Sequence, residues 1–135
     1  MLKLKIDGKG MDGLDIVKKV PLRDMDGKEF APRTIDPESV RYDAATDTLI
    51  WSSEGDARGR PGIYEAKTNG TMLRQFKLPD YYMPSADGKT GTLDNLSFEN
   101  LAISSEGKSL FASDRNPAPR CRRIPRPRTT RRWAG

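Results

Sequence analysis

Apolar residues in this chain come in short, interrupted groups. Leu2, Leu4 and Ile6 alternate with lysines, and Ile16, Val17 and Val20 lead into Pro21. Val40 and Tyr42 are two apart, which puts them on one face of an extended strand. Leu49, Ile50 and Trp51 form a compact run of the kind buried inside a sheet. Ile63-Tyr64, Met72 to Phe76, Leu101 to Ile103 and Leu110-Phe111 follow. No stretch keeps a helical period over three turns, so no long helix is expected. Five Asx-Gly dipeptides punctuate these groups: Asp7-Gly8, Asp12-Gly13, Asp26-Gly27, Asn69-Gly70 and Asp87-Gly88. Each suits a tight turn, because both residue types tolerate positive φ. Short strands between turn signals predict an all-β fold: a sandwich, a barrel or a propeller.

An internal repeat narrows that choice. Residues 38–53 align without gaps on residues 99–114. Glu38 falls on Glu99, Val40 on Leu101, Tyr42 on Ile103, Leu49 on Leu110 and Ile50 on Phe111. Each copy reads as a glutamate, an apolar strand, a short turn and a second apolar strand. The offset of 61 residues exceeds the ~40–50 residues of a usual propeller blade. The excess fits in the loop around Tyr81 to Leu93. A closed propeller needs roughly four to eight blades. Residues 1–114 supply about two to three. The expectation is therefore a partial β-propeller whose open blade edges invite self-association.

Composition removes several kinds of chemistry. The chain is 35% hydrophobic and 32% charged, with a mean hydropathy of −0.74. No run of 18 apolar residues exists, so no membrane-spanning helix is expected. Met1 to Val20 lacks the apolar core and small-residue site of a secretory leader. Cys121 is the single cysteine, which excludes an internal disulfide. Histidine is absent. That rules out Ser-His-Asp and Cys-His catalysis within the chain, and zinc sites built on imidazole. Any metal is held by oxygen, which favours calcium, with magnesium second.

Charge divides the chain in two. Residues 115–135 hold eight arginines, four prolines and no acid. The remaining 114 residues carry 16 basic and 19 acidic side chains, a net charge of −3. The domain is read as residues 1–114, with 115–135 an Arg/Pro-rich, disordered tail. A shifted frame in a GC-rich gene would produce such a peptide, and this reading is preferred. The alternative is a basic arm that contacts nucleic-acid phosphates. Trp133 alone in the tail offers a stacking ring.

Several segments, in this order, resemble the family known for the esterase-like activity of phytase. They are Val20 to Gly27, Asp36 to Asp43, Trp51 to Asp56, Leu78 to Pro84, Asn95 to Ser104 and Gly107 to Ala112. The resemblance covers residues 14–114. It implies a β-propeller with acidic residues gathered at one end. It also implies a phosphoesterase or phosphodiesterase-like activity on a small molecule, and relatives that are periplasmic or secreted. The pattern stops at Asp114, so the expected protein is a piece of such a propeller with little activity of its own.

The candidate acids are Asp36, Glu38, Glu54, Asp56, Asp94 and Glu99. Glu38 and Glu99 hold equivalent repeat positions, which in a propeller lie at similar radius and height. Carboxylates projected toward one mouth repel each other and favour a bound cation. Calcium suits such a cluster. A metal there would offset the charge of a phosphoester and activate water. Glu38, Glu54 and Glu99 are assigned to catalysis, and Glu38, Asp94 and Glu99 to the metal. Asp36 and Asp56 are assigned instead to turn amides. Arg58, Arg60 and Asn100 are candidate substrate contacts, the arginines for their fit to phosphate. For the arginines a solvated loop is the competing reading. Trp51, Tyr42 and Phe111 read as core, and Tyr81-Tyr82 as a pocket wall. Asp24-Met25-Asp26-Gly27 echoes a calcium loop without the remaining ligand spacing. A non-catalytic binding scaffold and a lactonase-like carboxyl-ester hydrolase stay open beside the phosphoesterase.

Overall fold

A computed structural model describes residues 2–7, 10–85, 91–92, 97–114 and 122–125. Among them the chain is all-β, as the short apolar groups predict. A hairpin pairs β1 (Leu2–Asp7) with β2 (Gly10–Ile16). A four-stranded sheet follows in chain order: β3 (Pro37–Asp43), β4 (Thr48–Ser53), β5 (Gly62–Lys67) and β6 (Met72–Gln75). A second sheet holds β7 (Phe98–Ile103), β8 (Ser109–Asp114) and β9 (Arg122–Pro125). Every pair of neighbours is antiparallel. β9 lies in the stretch assigned to the tail, while Cys121 and Trp133 fall outside the described residues.

The turn residues behave according to their local chemistry. Gly70 takes φ 89° in the β5–β6 turn, and the Asn69 carboxamide accepts the Thr71 N–H over 3.0 Å. Asp24 accepts the amides of Asp26 and Lys28, each over 2.9 Å, and Gly27 follows at φ 80°. The calcium-loop echo is therefore an Asx turn. Asp12-Gly13 departs from expectation, because both residues lie inside β2. The β1–β2 register shifts there, with Lys5 opposite Gly13 and Ile6 opposite Met11. The dipeptide absorbs a bulge instead of reversing the chain.

The sequence repeat is also a repeat of register. In the first sheet Pro37 pairs with Ser53 and Ser39 with Ser52, leaving Glu38 as the bulged residue. In the second, Phe98 pairs with Asp114 and Asn100 with Ser113, leaving Glu99 bulged. Every partner is displaced by the same 61 positions.

The two sheets stack face to face. Alternation along β4 and β5 sends Ile50 and Ile63 to one face and Trp51, Tyr64 and Ala66 to the other. Ile50 and Ile63 pack with Phe98, Leu101, Leu110 and Ala112 of the second sheet. Phe76, Leu78 and Tyr82, from the segment joining the sheets, complete this core. Burial of each large side chain here is worth about 1.5–3 kcal/mol. The Ser39 hydroxyl accepts the Leu101 N–H over 3.3 Å, a direct link from β3 to β7. On the opposite face Leu22, Phe30, Ile35 and Met72 cover Trp51 and Tyr64. Stacked blades of this kind fit a partial propeller.

Two aromatic assignments need correction. Trp51 is buried, but Tyr42 is 57% and Phe111 36% exposed. Tyr42 belongs to the face of the first sheet that no second sheet covers, and Phe111 to the outer face of the second sheet. Among the described residues neither meets a neighbouring blade.

Candidate metal centre

The acidic centre forms where β3 begins and β4 ends. Asp36 directly precedes β3, and Glu54 directly follows β4. Backbone bonds lock these ends together. The Glu54 N–H donates to the Asp36 carbonyl over 2.9 Å. The Asp36 N–H donates to the Ser53 hydroxyl over 3.0 Å, and that hydroxyl donates to the Gly55 carbonyl over 3.0 Å. The bulge at Glu38 re-aims its side chain at a strand end, a common use of bulges beside functional sites. Carboxylate oxygens of Asp36, Glu38 and Glu54 consequently lie within 4.8 Å of one another.

Glu54 differs from its neighbours. Asp36 and Glu38 are exposed, whereas Glu54 is 8% exposed, covered yet close to the surface. Its Oε1 is buried without a hydrogen-bond partner. Burial pushes the Glu54 carboxyl above its ordinary value, and the charges of Glu38, Glu99 and Asp36 push it further. A hydrogen bond from the Ser97 backbone partly offsets this rise. Ser97 is the repeat equivalent of Asp36, 61 positions on. Glu54 therefore stands at the seam between the blades, with Asp36 and Glu38 on one side and Ser97 and Glu99 on the other.

The other candidates are placed as follows. Asp56 organises the 55–61 loop, accepting the amides of Arg58 over 2.8 Å and Arg60 over 3.1 Å. Its carboxylate also accepts the Arg60 Nε–H over 2.8 Å. Burial raises the Asp56 carboxyl, but the Arg60 guanidinium and the two amides together leave it below its ordinary value. Arg60 is thus engaged within its own loop, while Arg58 is exposed. Asn100 is exposed beside Glu99. Tyr82 is buried in the core beside Phe98, and Tyr81 is exposed. Asp94 and Asn95 lie outside the described residues. The Asp36 carboxylate, expected to serve turn amides, joins the cluster instead, and its backbone bonds across the hairpin to Ser53 and Glu54. The pairing of an acid before one strand with Glu54 after its hairpin partner is the signal that could have found it.

The model of one protein family matches residues 1–124, nearly the whole chain. The chain belongs to the phytase-like family. That family is described by the esterase-like activity of phytase. Phytase-like proteins are β-propellers, in keeping with the two stacked sheets. The family acts on small-molecule phosphoesters and is typically calcium-dependent. No curated protein and no solved structure matches the chain. No helix among the described residues is long and apolar enough to cross a membrane.

Proposed function

We propose that this phytase-like chain holds a divalent cation, calcium first and magnesium second, on Asp36, Glu38 and Glu54, and serves phosphoester hydrolysis there. The observation that carries this reading is the Glu54 carboxylate. Its Oε1 is buried and unpartnered, with two more carboxylates within 4.8 Å. Like charges this close oppose joint ionisation unless a cation compensates them. An all-oxygen donor set suits calcium, which takes six to eight such ligands and leaves positions for water and substrate.

When bound, calcium would neutralise phosphoryl charge and lower the pKa of a bound water. The chain supplies the remaining roles. Asp36, Glu38 and Glu54 orient the site from one hairpin. Glu99, whose charge reaches Glu54 from the second blade, is the residue we assign to accept a proton from the attacking water. Arg58 is exposed in the loop that follows Glu54 and suits contacts with phosphate oxygens, whereas Asn100 belongs to the outer face of the second blade. Arg60 instead braces its loop through Asp56. Asp94 remains a candidate ligand on the connection to β7.

The test combines binding and turnover. Calcium should raise the thermal midpoint of the wild-type chain and not that of Glu54→Gln. A panel of aryl phosphomonoesters, phosphodiesters and lactones then sets the reaction class. Lactone turnover without phosphoester turnover would move the assignment to a carboxyl-ester hydrolase. Calcium-dependent stabilisation with no turnover would leave a binding scaffold.

A further inference from the structure

The first blade carries an open apolar groove of about 770 Å³ on the face turned away from the second blade. Val20, Leu22, Val40, Tyr42, Leu49 and Trp51 are among its walls. Val40 is 54% and Tyr42 57% exposed. Their repeat equivalents are Leu101 and Ile103. Leu101 is 1% exposed, and Ile103 packs against the core between the sheets. Leu110 and Ala112, the equivalents of Leu49 and Trp51, are buried in the same core. The four positions that line the groove in one blade are thus the contact positions in the other. The connecting segments repeat as well. Residues 76–83 fill the space between the sheets as they lead into β7, and Leu22, Phe30 and Ile35 pack against the cluster of Trp51, Tyr64 and Ala66 as they lead into β3.

The opposite side of the contact is also present twice. The second blade sits on the face of the first that carries Ile50, with Ser39 reaching Leu101. The same face of the second blade carries Phe111 in the place of Ile50 and Asn100 in the place of Ser39. Phe111 is 36% exposed, and Asn100 and Ala102 are exposed. The described chain therefore displays both halves of its own inter-blade contact, a groove at one end and the complementary face at the other.

We propose that the groove receives the outer Phe111 face of a second copy of this chain. The two copies stack head to tail, by the same displacement that relates the two blades. Such a contact is heterologous, so each copy keeps one unused face, and further copies add until a ring closes. Apolar burial at Val40, Tyr42 and Phe111 drives the association. An exposed apolar groove of this kind marks an interaction site on a folded protein.

Sedimentation equilibrium of the full chain, with Val40→Glu and Phe111→Glu variants, tests the inference. The wild-type chain should show masses above the monomer that grow with concentration. Each variant alone should remain monomeric, because every contact needs one intact groove and one intact outer face. An equimolar mixture should form a one-to-one dimer and stop there, because only one intact pair of faces remains. Thermal unfolding of each variant checks that it folds, and the milder pair Val40→Thr and Phe111→Ser repeats the experiment with weakened association if a charge unfolds the blade. A monomeric wild type overturns the proposal and leaves the groove to a sheet from another polypeptide. Association that survives Phe111→Glu but not Val40→Glu overturns it in favour of a groove-to-groove dimer. A mixture of folded variants that stays monomeric overturns it as well.

Discussion

The backbone amide of Glu54 donates to the carbonyl of Asp36 over 2.9 Å, so two acids on either side of a hairpin are held together by the main chain. The bond fixes the two main chains side by side, so only side-chain rotation can separate their carboxylates. Glu54→Gln keeps the shape and removes one charge. The metal-free variant should unfold at a higher temperature than wild type, by roughly 3–4 °C for each kcal/mol of repulsion and desolvation relieved. Its response to calcium should disappear. Differential scanning calorimetry with calcium and with a chelator reads both effects. A variant no more stable than wild type in chelator would show that Glu54 is not strained.

The pH dependence follows from the same residue. Glu54 titrates above its ordinary value in the fold, so the folded protein favours its protonated form. This contribution is complete at low pH and is lost as pH rises through the raised folded value. Asp56 acts in the opposite sense. Its carboxyl is held low, so its contribution is present above the unfolded value and lost as pH falls through the folded one. Metal-free wild type should therefore lose stability as pH rises above the ordinary glutamate range, and Glu54→Gln should flatten that slope. Calcium should flatten it too, by compensating the carboxylate. Denaturant midpoints across the pH range decide the matter.

Much of this architecture is legible in the residues themselves. Val40 and Tyr42 share a face, Asn69-Gly70 makes its turn, and the glutamate-to-glutamate repeat survives as a shared bulge. What was not legible depends on neighbours distant in sequence. Tyr42 and Trp51 share a face, yet one is open and the other covered, because Leu22, Phe30, Ile35 and Met72 reach only part of it. Arg60 looks like a phosphate ligand until Asp56 is seen to engage it. Asp36 bonds across the hairpin to Ser53 and Glu54 with its backbone and joins the cluster with its carboxylate, and local pattern reveals neither role.

A part-buried ion pair gives a prediction away from the site. Glu65 is 5% exposed and lies between Thr48, whose hydroxyl donates over 3.0 Å, and the Arg74 guanidinium. Arg74 also rests over the Phe76 ring, 5.0 Å from its centre. Arg74→Met leaves the Glu65 carboxylate with Thr48 alone, at a cost of about 1–3 kcal/mol because Arg74 is itself part-exposed. The double change Glu65→Met with Arg74→Met should recover most of that loss. Urea midpoints of the two variants provide the comparison, and equal losses would count against the pairing.

Two glycines separate steric cost from conformational cost. Tyr64 stacks on Trp51 with ring centres 4.2 Å apart. A Cβ on Gly62 would overlap the Tyr64 ring and its hydroxyl, so Gly62→Ala must displace that ring. Gly27 has open space around it, but its φ of 80° disfavours a side chain. Gly27→Ala should cost about 1 kcal/mol and leave Trp51 fluorescence unchanged. Gly62→Ala should shift that fluorescence and cost more. Emission spectra and chemical unfolding of the pair test the distinction.

Asp36, Glu38 and Glu54 belong to one hairpin, and this bears on the order in which the protein assembles. Bringing ends together across so short a segment costs little chain entropy, and local contacts of this sort form quickly. The three acids can converge while the second blade is still being synthesised. Ser97 and Glu99 arrive later, when β7 docks against β3. On this timetable a cation recruited by the nascent hairpin would relieve the repulsion that opposes its closure, so that the proposed calcium would help the hairpin fold before the second blade arrives.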